Sequence, residues 1–177
     1  MSKLVLDAAS IERSILRISH EILEKNKGTE NLTLVGIQQG GVILATRLKK
    51  AILEITKTEI PLGILDINLY RDDLGKASAQ PVVRKTEINF NLEEKIVVLV
   101  DDVLYTGRTI RSAFDALIDF GRPKRIELAV LVDRGHRELP IRADFVGKNI
   151  PTSEEEEVKV RFAETDGKDE VVVIHEE

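Results

Sequence analysis

The sequence predicts an α/β fold: a mainly parallel sheet flanked by helices. Three apolar runs of strand length alternate with stretches of helical periodicity, and polar loops follow the ends of those runs. Residues 96–100 are β-branched and apolar without alternation, which is typical of a strand buried on both faces of a parallel sheet. Because such sheets bind their ligands at the carboxyl ends of the strands, functional residues are expected there.

Length and composition narrow the class of protein. The 177 residues suit a single domain spanning 1–177. With 26 Lys and Arg against 31 Asp and Glu, the net charge of −5 attracts neither DNA nor anionic membrane, so any RNA binding requires a local basic patch. No apolar run approaches the ~18 residues of a membrane helix, and the first residues lack a signal-peptide pattern, so a cytoplasmic location is expected. The absence of cysteine excludes disulfides and thiolate chemistry.

The first half of the chain reads as helix, strand, loop and helix. Ile11, Ile15, Ile18 and Ile22 lie on one helical face within residues 8–25. Residues 32–37 form an apolar run of strand length, and a glycine-containing loop and a helix to about residue 55 follow it.

The second half continues the alternation after a third apolar run at 60–69. Residues 71–81 are too polar for a core, and long loops of this kind are usually functional or mobile. The strand at 96–100 precedes a helix to about residue 120 and a further strand at 126–133. Alternating segments at 158–162 and 171–174 predict a C-terminal edge hairpin, and the four glutamates at 154–157 predict a solvated loop.

The segment at 97–109 carries the chemistry. A buried strand ends in Asp101 and Asp102, and a loop containing Thr106 and Gly107 opens the next helix. A helix start with close-approaching backbone and hydroxyl donors suits a phosphate monoester, whereas the two carboxylates suit sugar hydroxyls or a divalent cation. A ribose 5-phosphate satisfies both halves. An acid pair also caps turns, but the surrounding strand, loop and helix favour function.

This segment resembles the phosphoribosyl pyrophosphate (PRPP) motif of the type I phosphoribosyltransferases. A narrower resemblance to the pyrimidine-operon attenuation regulators, the PyrR family, covers residues 17–21, 69–74, 101–109, 121–123, 131–144 and 146–153. It implies a single-domain type I phosphoribosyltransferase fold with a small hood.

The implied activity is that of a uracil phosphoribosyltransferase, which makes UMP and pyrophosphate from uracil and PRPP with Mg²⁺. The resemblance also implies a regulator that responds to UMP or UTP and controls pyrimidine genes by binding leader mRNA. The alternative is a nucleotide-sensing RNA-binding regulator with little or no catalysis.

The resemblance assigns roles residue by residue. Catalysis falls to Asp101, Asp102 and Arg71, and the two aspartates are also possible Mg²⁺ ligands. PRPP and nucleotide binding fall to Val103, Leu104, Tyr105, Thr106, Gly107, Arg108, Thr109, Gln38, Gln39, Gly40, Gly41, Arg84 and Lys85. Base binding falls to Arg134, Val146, Gly147 and Lys148, and RNA binding to Arg17, His20, His136, Arg137 and Arg142.

Three positions qualify these assignments. The loop from Gln38 to Gly41 lacks the Lys and Arg that well-known family members carry there, so turnover is expected to suffer more than nucleotide binding. Leu16 replaces a hydroxyl residue beside the predicted RNA face. Tyr105 stands where purine-specific relatives usually carry an acid, which is consistent with a pyrimidine substrate or with simple packing in the loop.

Two further predictions concern assembly and an alternative class. Family resemblance implies a homodimer or a homotetramer, and one chain does not decide between them. A phosphorelay receiver domain also has an acidic strand end, but its acids lie near the start of the domain and no Thr-Gly-x-Thr loop follows them.

Overall fold

Two sheets organise the computed structural model, which describes residues 1–67 and 85–175. The parallel sheet has the order β3-β2-β4-β5-β6, and an antiparallel sheet has the order β1-β8-β7. The strands are β1 (Ser2–Leu6), β2 (Leu32–Ile37), β3 (Leu62–Leu65), β4 (Ile96–Leu104), β5 (Arg125–Asp133), β6 (Phe145–Asn149), β7 (Glu156–Arg161) and β8 (Glu170–His175). The helices are α1 (Ala8–Asn26), α2 (Gly40–Thr56), α3 (Arg108–Ile118) and α4 (Ala163–Asp166).

The parallel sheet is covered on both faces, as its unbroken apolar strands predict. All six residues of β2 and the first six of β4 are buried. Successive side chains of a strand point to opposite faces, so Leu34 and Val98 pack with α1 and α2, whereas Val35 and Val97 pack with α3. The sheet thus presents only its edges and strand ends to ligands.

Helix α1 begins and ends where the sequence predicts. Its N-cap is Asp7, whose side chain accepts a hydrogen bond from Ser10 N at 2.8 Å. Hydrogen bonding from the Ser10 side chain, together with this backbone bond, lowers the pKa of the Asp7 carboxyl. The helix ends at Asn26, and Lys27 follows in the left-handed conformation. The isoleucines predicted to share one face are all buried, which fixes the opposite face toward solvent.

The antiparallel sheet forms a small second layer that matches the predicted hood. The C-terminal hairpin is present as β7 and β8, but it pairs with β1 instead of extending an edge of the parallel sheet. Arg47 of α2 anchors this layer, because its guanidinium lies 4.9 Å from the Phe162 ring centroid and donates to Glu164 and Asp169. The hood is therefore tied to the parallel sheet through α2.

Several boundaries differ from the sequence prediction. The short strands β1 and β6 were not predicted, and the acidic run was predicted as a loop although Glu156 and Glu157 belong to β7. Strand β4 continues past the acid pair to Leu104, because Val103 and Leu104 still pair with β5. Within the described residues, no helix has both the length and the apolar character needed to cross a membrane.

Candidate active site

The acid pair lies near the carboxyl end of β4, between its neighbours β2 and β5. Asp101 is 7% exposed, and its Oδ1 accepts a hydrogen bond from Asp102 N at 2.9 Å. Asp102 is partly exposed, and its Oδ1 accepts from Val103 N at 2.8 Å. Each carboxylate is held by the backbone that follows it, so the pair is oriented before any ligand arrives.

The loop after β4 has the shape of an anion cradle. Gly107 has φ 91° and immediately precedes α3, whose start has no side-chain cap. The backbone of the loop is fixed from the other side, because Thr106 O accepts hydrogen bonds from Glu138 N and Leu139 N at 2.9 and 3.2 Å. The Thr106 hydroxyl accepts from Arg108 N at 3.3 Å. Backbone donors at such a helix start favour a phosphate group.

Other residues assigned to PRPP contribute differently. The Leu104 side chain is 1% exposed in the core, so only its backbone can shape the site. Val103 also packs against the core, and Thr109 is partly buried in the first turn of α3. The exposed Arg108 lies 3.3 Å from Glu138, which positions its guanidinium beside the cradle.

The loop between β2 and α2 lies directly against the acid pair. A Cβ built on Gly40 would come within 2.3 Å of Asp102 Oδ2, and one on Gly41 within 2.3 Å of Val100 O. The bond between Gln38 and Gln39 is cis, and Gln39 is exposed. Both glycines are thus needed for close packing on β4, a requirement in addition to the predicted approach of backbone to an anion.

Arg134 lies over Tyr105, which joins the predicted base site to the PRPP loop. The guanidinium carbon is 4.0 Å from the Tyr105 ring centroid, and the residue is 7% exposed. Its Nη2 donates to Ser153 O at 3.1 Å, while its buried Nε has no hydrogen-bond partner within the described part of the chain. A buried unpaired donor is costly, so a ligand acceptor would be well matched there.

His136 and Thr152 complete this side of the site. His136 Nε2 lies 2.5 Å from Thr152 O, so this nitrogen carries the proton, and the ring meets the edge of Tyr105 at a centroid distance of 6.2 Å. The Thr152 hydroxyl donates to Arg134 O at 3.0 Å. His136, for which we predicted RNA contact, therefore lies against Tyr105 and Thr152.

Arg137, also predicted to bind RNA, is engaged within the protein. Its guanidinium donates to Ile141 O at 2.8 Å, to Tyr105 O at 2.8 Å and to Asp133 Oδ2 at 2.5 Å. The bond to Tyr105 O connects the loop after β4 with the loop after β5, and the other two hold Arg137 within its own loop and to the end of β5. Arg137 therefore braces the site, and RNA contact through the same guanidinium would have to compete with these bonds.

The remaining RNA assignments are Arg17 and His20 on α1, and Arg142 in the loop between β5 and β6. Arg17 donates to Val146 O at 3.2 Å and to Gly147 O at 2.6 Å, so it contacts the predicted base segment on β6. His20 and Arg142 are exposed. The predicted RNA residues thus lie on two elements, two of them on α1 and three in the loop between β5 and β6.

The last predicted site residues differ in how fully they are described. Lys148 is exposed near the end of β6, and Lys85 is exposed with its Nζ 3.8 Å from Glu87. Arg71 and Arg84 lie outside the described residues.

Sequence reasoning missed Thr152 and Ser153 as parts of the site. Both lie within the segment that carried the family resemblance, but each of their contacts with Arg134 and His136 has a backbone carbonyl group as its acceptor. A sequence pattern does not reveal such contacts, because every residue carries a carbonyl.

The acid pair fits the donor set for a magnesium ion that accompanies a polyphosphate. Mg²⁺ takes oxygen ligands, keeps several waters and is usually held by one or two carboxylates together with substrate phosphates. Among residues 1–67 and 85–175, no group of three or more metal-binding side chains is arranged to hold a metal ion by itself. Asp101 and Asp102 thus suit a metal that enters with its substrate.

Comparison with known proteins agrees with this geometry. The family model described as the phosphoribosyl transferase domain matches residues 2–165. Hypoxanthine phosphoribosyl transferase from Trypanosoma cruzi has a similar fold, with a TM-score of 0.75 at 21% identity over 98% of this chain and 91% of that one. The fold and the site therefore define a phosphoribosyl transferase domain.

Sequence relatives define the family more narrowly. The bifunctional protein PyrR of Pelotomaculum thermopropionicum is 62% identical over 96% of this chain and 94% of its own length. The bifunctional protein PyrR of Clostridioides difficile is 59% identical over 96% of both chains. The chain belongs to the PyrR family of phosphoribosyl transferase domain proteins.

Proposed function

We propose that this chain is a uracil phosphoribosyltransferase that also regulates pyrimidine genes by binding leader mRNA. In the reaction, uracil N1 forms a bond to C1 of PRPP while the bond from C1 to pyrophosphate breaks, and N1 loses its proton. The observation that carries the proposal is the position of Asp101 and Asp102 between a phosphate cradle and a loop pressed against Asp102. That arrangement matches a ribose with a phosphate at one end and a pyrophosphate at the other.

Positive charge develops on the ribose ring as pyrophosphate leaves. The two carboxylates are oriented by backbone N–H groups at 2.8 and 2.9 Å, so they can bind ribose hydroxyls and favour that charge without reorganising. Residues Thr106 to Thr109 would hold the 5-phosphate at the start of α3. Magnesium bound with PRPP would neutralise the leaving pyrophosphate. Catalysis then consists mainly of positioning and electrostatics.

The base would lie beside Arg134 and the segment from Val146 to Lys148. The unpaired Nε of Arg134 offers a donor in an enclosed position. A uracil carbonyl is an acceptor, whereas the amino group that cytosine carries at the same place is a donor. A donor held without other partners therefore favours uracil over cytosine.

The test of the enzyme is UMP formation from uracil, PRPP and Mg²⁺. We expect the wild-type chain to form UMP and the double variant Asp101→Asn, Asp102→Asn to form none, since asparagine keeps the backbone hydrogen bonds but removes both charges. Cytosine and hypoxanthine serve as control bases. A wild-type chain that binds UMP but makes none would identify the site as a sensor, which is the alternative to an enzyme.

RNA binding is favoured by exposed cations on α1 and in the loop before β6. His20 and Arg142 are exposed, and RNA regulators contact phosphates and unpaired bases with such groups. Because the whole chain is acidic, binding has to be local and salt-dependent.

The test of RNA binding is a gel shift with a pyrimidine-operon leader transcript, with and without UMP. We expect UMP to tighten binding and His20→Ala or Arg142→Ala to weaken it. Arg137→Ala is also predicted to weaken binding without preventing folding, although it additionally removes the brace of the loops. A shift that is absent, or unchanged by salt, would refute RNA recognition.

A further inference from the structure

The guanidinium of Arg17 connects helix α1 to the base segment on β6. Its Nη1 lies 2.7 Å from Glu21 Oε1 and 3.2 Å from Val146 O, and its Nη2 lies 2.6 Å from Gly147 O. Glu21, one turn further along the helix, holds the guanidinium in place. One side chain thus donates to two consecutive carbonyl groups of β6, those of the two residues before Lys148.

The strand that receives these bonds has little freedom on its other side. A Cβ on Gly147 would lie 2.4 Å from Leu131 O, so the backbone of β6 is pressed against β5. Asp144, just before β6, is paired with Lys25 of α1 at 2.8 Å. Helix α1 therefore contacts this segment at two positions, through Lys25 just before β6 and through Arg17 at the predicted base segment.

We propose that Arg17 is a positioning residue for base recognition. The inference rests on the proposed uracil phosphoribosyltransferase function and on the assignment of the base to the segment from Val146 to Lys148. By donating to two carbonyl groups, Arg17 sets the position of the β6 backbone that would face the uracil edge. In this role Arg17 acts through the backbone of β6 and not by direct contact with the substrate. Its loss would weaken the binding of uracil and UMP, and the PRPP groups at Asp101 and Thr106 would be unaffected.

The test compares Arg17→Met and Arg17→Lys with the matched control Arg13→Met. Arg13 lies one turn earlier on the same helix, is exposed and donates to the Ser10 hydroxyl of its own helix at 3.1 Å. We expect Arg17→Met to raise KM for uracil and Kd for UMP about tenfold while KM for PRPP changes less than about twofold. Arg17→Lys would recover part of the loss, because one ammonium cannot serve both carbonyl groups as a planar fork does. Arg13→Met would behave as wild type.

Two outcomes would overturn the inference. Unchanged uracil KM and UMP Kd in Arg17→Met, with weaker binding of leader RNA, would make Arg17 an RNA contact. An equal rise of KM for uracil and PRPP would show a general loss of structure, and thermal unfolding would reveal the same loss. A wild-type chain that makes no UMP would refute the proposed function instead, and the UMP Kd values, measured by calorimetry, would still test Arg17.

Discussion

Replacing Gly41 by alanine tests whether activity depends on the close packing of the start of α2 against the strand that carries the acid pair. The added Cβ would lie 2.3 Å from Val100 O and 3.1 Å from Asp101 Cα, all backbone atoms of the central strand. Ordinary contact with carbon requires about 3.5 Å. The start of α2 therefore has to move by roughly 1 Å away from β4, since the central strand is held on both sides.

A displacement of this size has a predictable cost. Misplacement of catalytic groups by 1 Å reduces turnover by about 100-fold, which corresponds to roughly 2.7 kcal/mol of barrier. Overpacking in a closely packed region also destabilises the fold by about 1–3 kcal/mol. We expect Gly41→Ala to fold, to lose about two orders of magnitude in kcat/KM for PRPP and to melt several degrees lower.

The matched control is Gly63→Ala on β3 of the same sheet. There the nearest atom to the added Cβ is Ile88 Cγ1 at 3.2 Å, a side-chain atom that can shift. Initial rates of UMP formation and thermal unfolding are measured for both variants. If Gly41→Ala folds and keeps its activity within about threefold of wild type, the inferred dependence of activity on this contact is wrong.

Three further predictions concern the hood and the loop. Arg47→Met should destabilise the chain by about 2–3 kcal/mol, because partly buried hydrogen bonds to charged groups and the contact with the Phe162 ring are lost. Urea unfolding at neutral pH measures this loss of stability. The control is Arg111→Met, because the exposed Arg111 guanidinium lies 3.6 Å from Asp115 in a surface ion pair. Hydrogen bonds from Arg47 lower the pKa of Asp169 and Glu164. The stabilisation that these carboxylates contribute is therefore complete above the unfolded pKa values near 4 and is lost as the pH falls through the lower folded values. The free energy of unfolding, measured between pH 6 and 2.5, should fall more steeply in wild type than in Arg47→Met, and parallel curves would contradict this. Gln38→Lys should raise kcat by roughly 3- to 10-fold by adding a charged donor where pyrophosphate leaves, whereas an unchanged kcat would show that backbone groups suffice.

The sequence predicted the interior of the fold better than its margins. Residues 32–37 and the start of β4 are apolar on both faces, so both faces of these strands have to be covered by other layers of the protein. By contrast, β1 and β6 have mixed polarity over five residues each, and their pairing depends on distant strands. The hairpin was predicted from alternation, but its partner was not, because alternation does not say which strand lies next to it.

The site divides in the same way. Asp101, Asp102 and Gly107 could be predicted because their spacing places them at one strand end and one helix start. The contacts of Arg17 and Arg137 within the protein could not, since both donate to backbone carbonyl groups that have no sequence signature. The contact of Gly40 with Asp102 also depends on how the two loops pack. Positions that follow from spacing along the sequence were predicted, whereas contacts that depend on the packing of distant segments were not.

The pairing of β1 with β8 has a consequence for the order of folding. Ser2 is opposite Ile174, so this pair joins residues separated by almost the whole described chain. Contacts at such separation form late, because the intervening chain must first be ordered. During synthesis on the ribosome, residues 2–6 have to wait until residues 170–175 emerge. The parallel sheet can assemble earlier, and the hood then closes as the last step, which makes the β1–β8 pair the place where a folding defect would first appear as a missing hood.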